Sequence, residues 1–338
     1  MITDLRSHRH SAVAARSSAG TLARWCGAAV LAFVLAPQVL QAQTSGAAVR
    51  LLVPLAAGGP SDQAARLLAK PLAVALGQEV LVENKPGANG ALGAQAVAML
   101  PADGHSLLFA PSGLAGLPVL MKAPPFASLT EFTPLGAVGG NQFCLFVHPS
   151  LPVADVPGLV AHARANPDRL SYGVSTSAEY LVSAHLIKTS AMQMARIPYR
   201  GSAQMLPDLL EGRVQLAFMP AGTGAAHARS GKLKALACNV PQRLPGLAEV
   251  PTLLESGVPA LGWHGYHFIL APKGMPAPLA QRLAAALGRA SQDAEFRAGL
   301  ERLLIPIETL SAEQTTSAIR AGERSWAQFV RDNGLVPE

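Results

Sequence analysis

Val49-Arg-Leu-Leu-Val-Pro-Leu-Ala-Ala-Gly-Gly-Pro-Ser-Asp62 decides how the rest of the chain is read. Leu51 to Val53 is an apolar run of strand length, closed by Pro54. Gly58 and Gly59 permit a tight turn and a close approach of the backbone to another object, because no Cβ intervenes. Ser61 or Asp62 is placed to cap a helix over Gln63–Leu76. A strand, a glycine turn and a helix start, in that order, leave backbone N–H groups pointing outward, which suits a carboxylate or a phosphate. The same order also serves as a plain strand-to-helix connection that binds nothing, so the rest of the chain has to discriminate.

Working outward, Glu79–Glu83 reads as a second strand. Gly87, Gly90 and Gly93 follow at intervals of three, then a helix over Ala94–Leu100. This is neither the G-x-G-x-x-G of a dinucleotide fold nor the Gly-Lys-Ser/Thr ending of a P-loop. His105–Ala110 is a third strand and runs into Ser112-Gly113. Residues 135–147 are a strand pair, or one strand broken at Gly139-Gly140. Leu170–Val174 is a strand ending in Ser175-Thr176-Ser177, with a helix from Ala178. Ala195–Tyr199 is a strand, and Arg200-Gly201-Ser202 opens a helix to Glu211. Strands over 214–218, 232–239 and 263–271 and helices over 251–257, 276–288, 290–304 and 312–333 complete the pattern. The βαβα alternation predicts mostly parallel sheets with helices on both faces. In such sheets ligands sit beyond the carboxyl ends of strands, so the loops at 58–62 and 112–113 are expected to face one site, and the loops at 175–177 and 200–202 add hydroxyls and helix starts that suit a small polar anion.

Half of the 338 residues are hydrophobic and 14% are charged, which supplies a large core and excludes global disorder. The length suggests about two domains. Residues 1–42 stand apart: Arg6, Arg9, Arg16 and Arg24, an apolar run Cys26–Ala36, then Pro37 and Ala42. That is the layout of a cleavable signal peptide, and the run is shorter than the ~20 residues of a membrane anchor. Without 1–42, 23 basic side chains face 20 acidic ones and the formal charge falls from +6 to +3. No basic block remains that would suit nucleic acid. Cys144 and Cys238 each lie in an apolar run and are read as buried free thiols rather than a disulfide, although sequence does not give their distance.

Catalytic and metal signatures are absent from the pattern. Gly173-Val-Ser175-Thr-Ser177 lacks the last glycine of a nucleophile elbow. His264 and His267, three apart in a strand, point to opposite faces and make poor joint metal ligands. No cofactor site is expected, and a hydrolase working through Ser175 or Ser177 lacks a visible histidine–carboxylate partner.

Several segments in fixed order, Val53–Asp62, Val82–Gly90, Ile197–Ser202, Asp208–Gln215, Gly231–Ala237 and Val250–Leu253, closely resemble the Bug family. These are the periplasmic solute receptors of tripartite tricarboxylate transporters. The resemblance runs from about Val49 to the C-terminus. It implies a type II periplasmic-binding-protein fold, α/β in class: two α/β domains, 48–144 plus 267–338 and 145–266, with a ligand cleft between them that closes on a small organic acid. It also implies periplasmic location, a monomer, and handover to transporter membrane subunits, with a sensor feeding a membrane receptor kinase as the alternative. The matching ligand-binding positions are Leu55, Gly58, Gly59, Ser61 and Asp62 in one loop and Ser175, Thr176, Ser177 and Tyr180 in another. Ser112, Gly113, Tyr199, Gly201 and Met219 are added to the cleft. Three departures stand out: Ala57 in place of a proline, Tyr180 in a loop without the usual Gly-Thr pattern or histidine, and Met219 in place of an aspartate. They put a plain C4 dicarboxylate in question, and Met219 suggests a less polar distal pocket.

Overall fold

The computed structural model describes residues 47–259, 261, 265–335 and 337. The segment read as a signal peptide lies outside them, as does His264. Residues 47–338 form one compact unit built on two sheets. The strands are β1 Val49–Val53, β2 Val80–Asn84, β3 Ser106–Pro111, β4 Thr133–Gly139, β5 Phe143–Val147, β6 Ser171–Val174, β7 Ala195–Pro198, β8 Leu216–Pro220, β9 Lys234–Cys238, β10 Tyr266–Ala271 and β11 Thr309–Leu310. The helices are α1 Pro60–Leu76, α2 Ala91–Ala98, α3 Leu117–Leu120, α4 Val156–Ala165, α5 Ser177–Thr189, α6 Ser202–Leu210, α7 Ala221–Arg229, α8 Ala277–Ala290, α9 Ala294–Arg302 and α10 Ala312–Asn333.

One sheet has the order β11-β4-β10-β3-β1-β2, the other β7-β6-β8-β5-β9. The apolar runs are continuous because both faces are covered. Val49, Leu51 and Val53 pack toward Leu68, Leu72, Leu283 and Phe296, while Leu52 faces the opposite cluster with Ala94, Leu114 and Trp326. That second cluster continues into the other sheet through Leu145, Leu181 and Phe218.

The expectation of mostly parallel sheets fails. β1–β2, β1–β3, β6–β7 and β6–β8 are parallel, but β10 is antiparallel to both β3 and β4, β11 to β4, and β5 to both β8 and β9. β5 and β10 follow the two segments where the chain passes from one sheet to the other, and both run against their neighbours. These crossing segments lie against each other. Gly140 N–H donates to Gly265 O at 3.1 Å. A Cβ on Gly139 would stand 1.9 Å from Pro306 O, and one on Gly265 2.1 Å from Asn141 O. The glycine pair seen as a strand break is thus the first crossing, and it lies before Phe143, so Phe143 and Cys144 belong to the second sheet rather than with residues 48–142.

Cys144 and Cys238 are a disulfide, not free thiols. They are direct partners on antiparallel β5 and β9, with Cα atoms 3.9 Å apart. Cys238 N–H turns away to Pro251 O, leaving the two side chains on one face. Residues 251–257 form turns instead of a helix, with Thr252 bridging Cys238. The two-residue β11 carries no alternation to read. Among the described residues no helix is long and apolar enough to cross a membrane.

Candidate functional site

A cavity of about 120 Å³ lies between the carboxyl ends of the two sheets. That is small beside the roughly 300–1,000 Å³ of drug-sized sites and suits a ligand of roughly ten heavy atoms. Its walls come from four places: the β1–α1 loop, the turn after β3, the β6–α5 loop and the β7–α6 loop, with the two crossing segments beneath.

The β1–α1 wall is built from the Leu55–Ser61 segment. Gly59, not Ser61 or Asp62, is the N-cap of α1, and Pro60 occupies the first turn, where its missing N–H costs nothing. Gly58 has φ +78°, a conformation costly for other residues. Its N–H donates to Asp62 Oδ2 at 2.8 Å. Arg66 Nε donates to the same oxygen at 3.0 Å, and Asn84 Nδ2 to Oδ1 at 2.9 Å and to Leu55 O at 3.1 Å. Burial pushes the Asp62 carboxyl up, but these bonds from Arg66, Gly58 and Asn84 outweigh it and hold the carboxyl below its usual range. Asp62 and Gly58 therefore shape the loop from behind and do not line the cavity.

Ser61 does line it, but its proton is committed. His267 Nδ1 lies 3.0 Å from Gly139 O, and a carbonyl only accepts, so the ring proton sits on Nδ1. His267 Nε2, 3.0 Å from Ser61 Oγ, then accepts the serine proton. Asn141 Nδ2 donates to the same Oγ at 3.2 Å. Burial drives the imidazole down to about 4, against the Gly139 bond, so the ring stays neutral. The pairing looks like a nucleophile and base, but a base with so low a basicity, oriented by a carbonyl rather than a carboxylate, is a poor activator at neutral pH. It fixes the wall. What remains for a ligand here are the N–H groups of Ser61 and Asp62, since Pro60 has none and the Gln63 N–H is bonded to Gly59 O at 3.0 Å.

The opposite wall is the start of α5. Thr176 caps the helix in a reciprocal box with Glu179. Glu179 is fully buried, and its Oε2 accepts from Ser175 N at 2.6 Å, Ser175 Oγ at 2.7 Å and Thr176 N at 3.2 Å. Ser202 Oγ reaches Oε1 at 3.4 Å. Desolvation dominates, and although all of these donors pull the other way the carboxyl is raised to about 7. Ser177 also lines the cavity; it is 6% exposed, and its Oγ has no hydrogen-bond partner.

Between these walls, Gly113 faces α5 so closely that a Cβ would touch Ala178 Cβ at 3.3 Å. The turn Ser112–Gly116 is held in place by Trp326 of α10, which is fully buried and whose ring would lie 2.5 Å from a Cβ on Gly116. Burial of such a side chain is worth about 2–3 kcal/mol. Ser112 Oγ accepts from Tyr266 N at 3.1 Å.

Of the expected residues, the cavity gathers Leu55, Gly59, Ser61, Ser112, Gly113, Ser175, Thr176, Ser177 and Gly201. Met219 is not among them. It is fully buried among Cys144, Cys238 and Leu209, on the opposite face of β8 from Phe218, so it makes no distal pocket. Tyr180 and Tyr199 line a neighbouring groove across the 175–177 loop, where Arg196 stands 4.8 Å over the Tyr180 ring. Burial and the 2.7 Å bond to Asp208 raise the Tyr199 phenol to about 12.

Asn89, Asn141, Glu179, Tyr266 and His267 line the cavity without having been read as ligand-binding positions. Glu179 was findable, since Thr176-x-x-Glu179 has capping-box spacing. Asn141 stands on the first crossing segment and Tyr266 at the start of β10 beside the second, and no local pattern reports their convergence. Among the described residues no group of three His, Cys, Asp or Glu side chains could hold a metal ion.

Two mixed α/β sheets with a cavity between their strand ends make a two-domain periplasmic-binding-protein architecture, and known proteins agree. The protein called BugT of Bordetella pertussis is 31% identical over 293 residues, 85% of this chain and 89% of its own. The R. palustris protein Rpa4515, solved with adipate, superposes with a TM-score of 0.80 at 29% identity, covering 88% of this chain and 100% of its own. MatC of Rhodopseudomonas palustris, solved with bound malate, does so with a TM-score of 0.76 at 27% identity, over 84% and 98%. The profile described as tripartite tricarboxylate transporter family receptor matches residues 64–335. The chain belongs to that family of solute-binding receptors.

Proposed function

We propose that this receptor captures a small organic carboxylate in the cavity between its two sheets and delivers it to transporter membrane subunits. The single observation that carries the reading is Ser177: a buried hydroxyl without a partner, in the wall of a small cavity, is a hydrogen-bonding group waiting for one. The α1 and α6 first turns add backbone donors suited to an anion. Adipate and malate in the related structures are ligands of the same class.

The two sheets act as lobes, residues 48–142 with 266–338 and residues 143–259, hinged at the crossing segments and closing on the ligand. Residues 1–42 act as a cleavable export signal, and the mature chain works as a monomer in the periplasm. Binding without turnover is the reading that the neutral His267 ring favours, since it is oriented by the Gly139 carbonyl and is a weak base toward Ser61.

A thermal-shift screen of the mature chain against mono-, di- and tricarboxylates, amino acids and neutral amides tests this. A true ligand at 100 times its Kd adds about 2.7 kcal/mol to stability. Stabilisation by a carboxylate, lost in Ser177→Ala, is the expected result. Stabilisation by neutral compounds alone would refute the anion reading.

A further inference from the structure

The two helix N-termini that face the cavity from opposite walls are not equivalent. At α1, the acidic side chain of the first turn is charge-compensated: Asp62 is paired with Arg66 at 3.0 Å and points behind the loop. At α5 the acidic side chain of the first turn, Glu179, lines the cavity and has only neutral donors, with no ion pair among the described residues. Its Oε2 consumes the N–H groups of Ser175 and Thr176, the donors that would otherwise receive a ligand carboxylate. Its Oε1 has one long contact, to Ser202 Oγ, and so keeps accepting capacity. Ser177 Oγ, buried and unpartnered, lies in the same wall.

Resting on the carboxylate reading above, we propose that the α5 end of the cavity takes a hydrogen-bond donor rather than a second carboxylate. The ligand is then an asymmetric organic acid, with a carboxylate toward α1 and an amide, hydroxyl or ammonium group toward Ser177 and Glu179. A diacid would place its second carboxylate against a buried carboxylate that already holds the local N–H groups, and like charges at such distance disfavour each other. The other charged or titratable groups nearby do not relieve this. Arg200 lines the rim but is exposed, His267 across the cavity is kept neutral, and Arg196 lies over Tyr180 in the neighbouring groove. Glu179 is in this way a specificity-determining residue.

Calorimetric titration at about pH 8, where the Glu179 carboxyl is ionised, separates the possibilities. The probes are matched sets: succinate and adipate, the monoamide of each, and the ω-amino acids of the same chain lengths. In the wild-type chain at least one monoamide or ω-amino acid binds at least about tenfold more tightly than its diacid, and Glu179→Gln removes or reverses that ratio. The amide and amine arms tell a neutral donor from a cationic one. A wild-type chain that prefers the diacids overturns the proposal and leaves the carboxylate reading standing. A preference for the asymmetric acids that survives Glu179→Gln overturns the role of Glu179. If no member of any set binds, the carboxylate reading falls and this proposal with it. The wild-type ratio decides the ligand class even if the variant fails to fold.

Discussion

Replacing Glu179 by Gln keeps the shape and one acceptor oxygen of the side chain but removes its titration. The expected effect on stability has a definite sign. The ordinary value for the carboxyl is 4.5, and burial in the folded chain raises it to about 7. Below about pH 4.5 the group is protonated whether the chain is folded or not. Between about 4.5 and 7 only the folded chain holds the proton. A group with a raised folded value contributes stability at low pH and loses it as pH rises, here by about 1.36 kcal/mol per pH unit. Over that window the loss reaches about 3 kcal/mol. Urea unfolding of wild type and Glu179→Gln at about pH 4.5, 6 and 7.5 measures it, since subtracting the two cancels the groups they share. The wild-type advantage is expected to shrink by about 3 kcal/mol from the lowest to the highest pH. A difference that stays constant within about 1 kcal/mol would show that Glu179 ionises normally, and the account of an uncompensated buried carboxylate at α5 would be wrong.

His267 supplies the opposite slope. Its imidazole falls from 6.5 to about 4 on burial, so its contribution is present above pH 6.5 and is lost as pH falls toward 4, again up to about 3 kcal/mol. Glu179→Gln, with its own carboxyl silenced, should therefore weaken on acidification through that range. Reduction of Cys144–Cys238, which closes a separation of 94 residues, should cost up to about 4.7 kcal/mol on the chain-entropy account. Thermal melts with and without reductant, with thiols counted by mass, should show a fall of roughly 8 °C at about 2.1 cal/mol/K per residue. Ser61→Ala leaves His267 Nε2 buried without its donor and is expected to cost about 1–3 kcal/mol of stability. Ser177→Ala removes a group with no partner and should leave the melt unchanged while weakening carboxylate binding roughly 5- to 30-fold. A stability loss in Ser177→Ala equal to that in Ser61→Ala would contradict the hydrogen-bond assignments of both.

Local pattern carried much of the architecture. The 312–333 helix is legible from its periodicity and from the Ser311–Gln314 cap, and its observed bounds are Ala312–Asn333. Apolar runs such as Leu51–Val53 and Phe143–Val147 announce buried strands, because a strand covered on both faces has no polar side to display. Loops rich in glycine and hydroxyls at strand ends mark eight of the nine expected residues that the cavity gathers, since the turn chemistry they need is local; Leu55 comes only from the family resemblance. Strand direction was not legible: β5 and β10 run against their neighbours only because the chain crosses between sheets at Gly139–Asn141 and Gly265. The same crossing sets Cys144 opposite Cys238, and no spacing in the sequence reports a distance between residues 94 apart. Met219 shows the limit most plainly. Its position in the chain matched the site, but the two-residue period of β8 and the packing of α6 turned its side chain into the core. Residue types and short spacings determined which segments could bind an anion. Which of their donors stay free follows from the folded chain, because a donor's availability depends on partners such as His267 and Glu179 that folding brings to it.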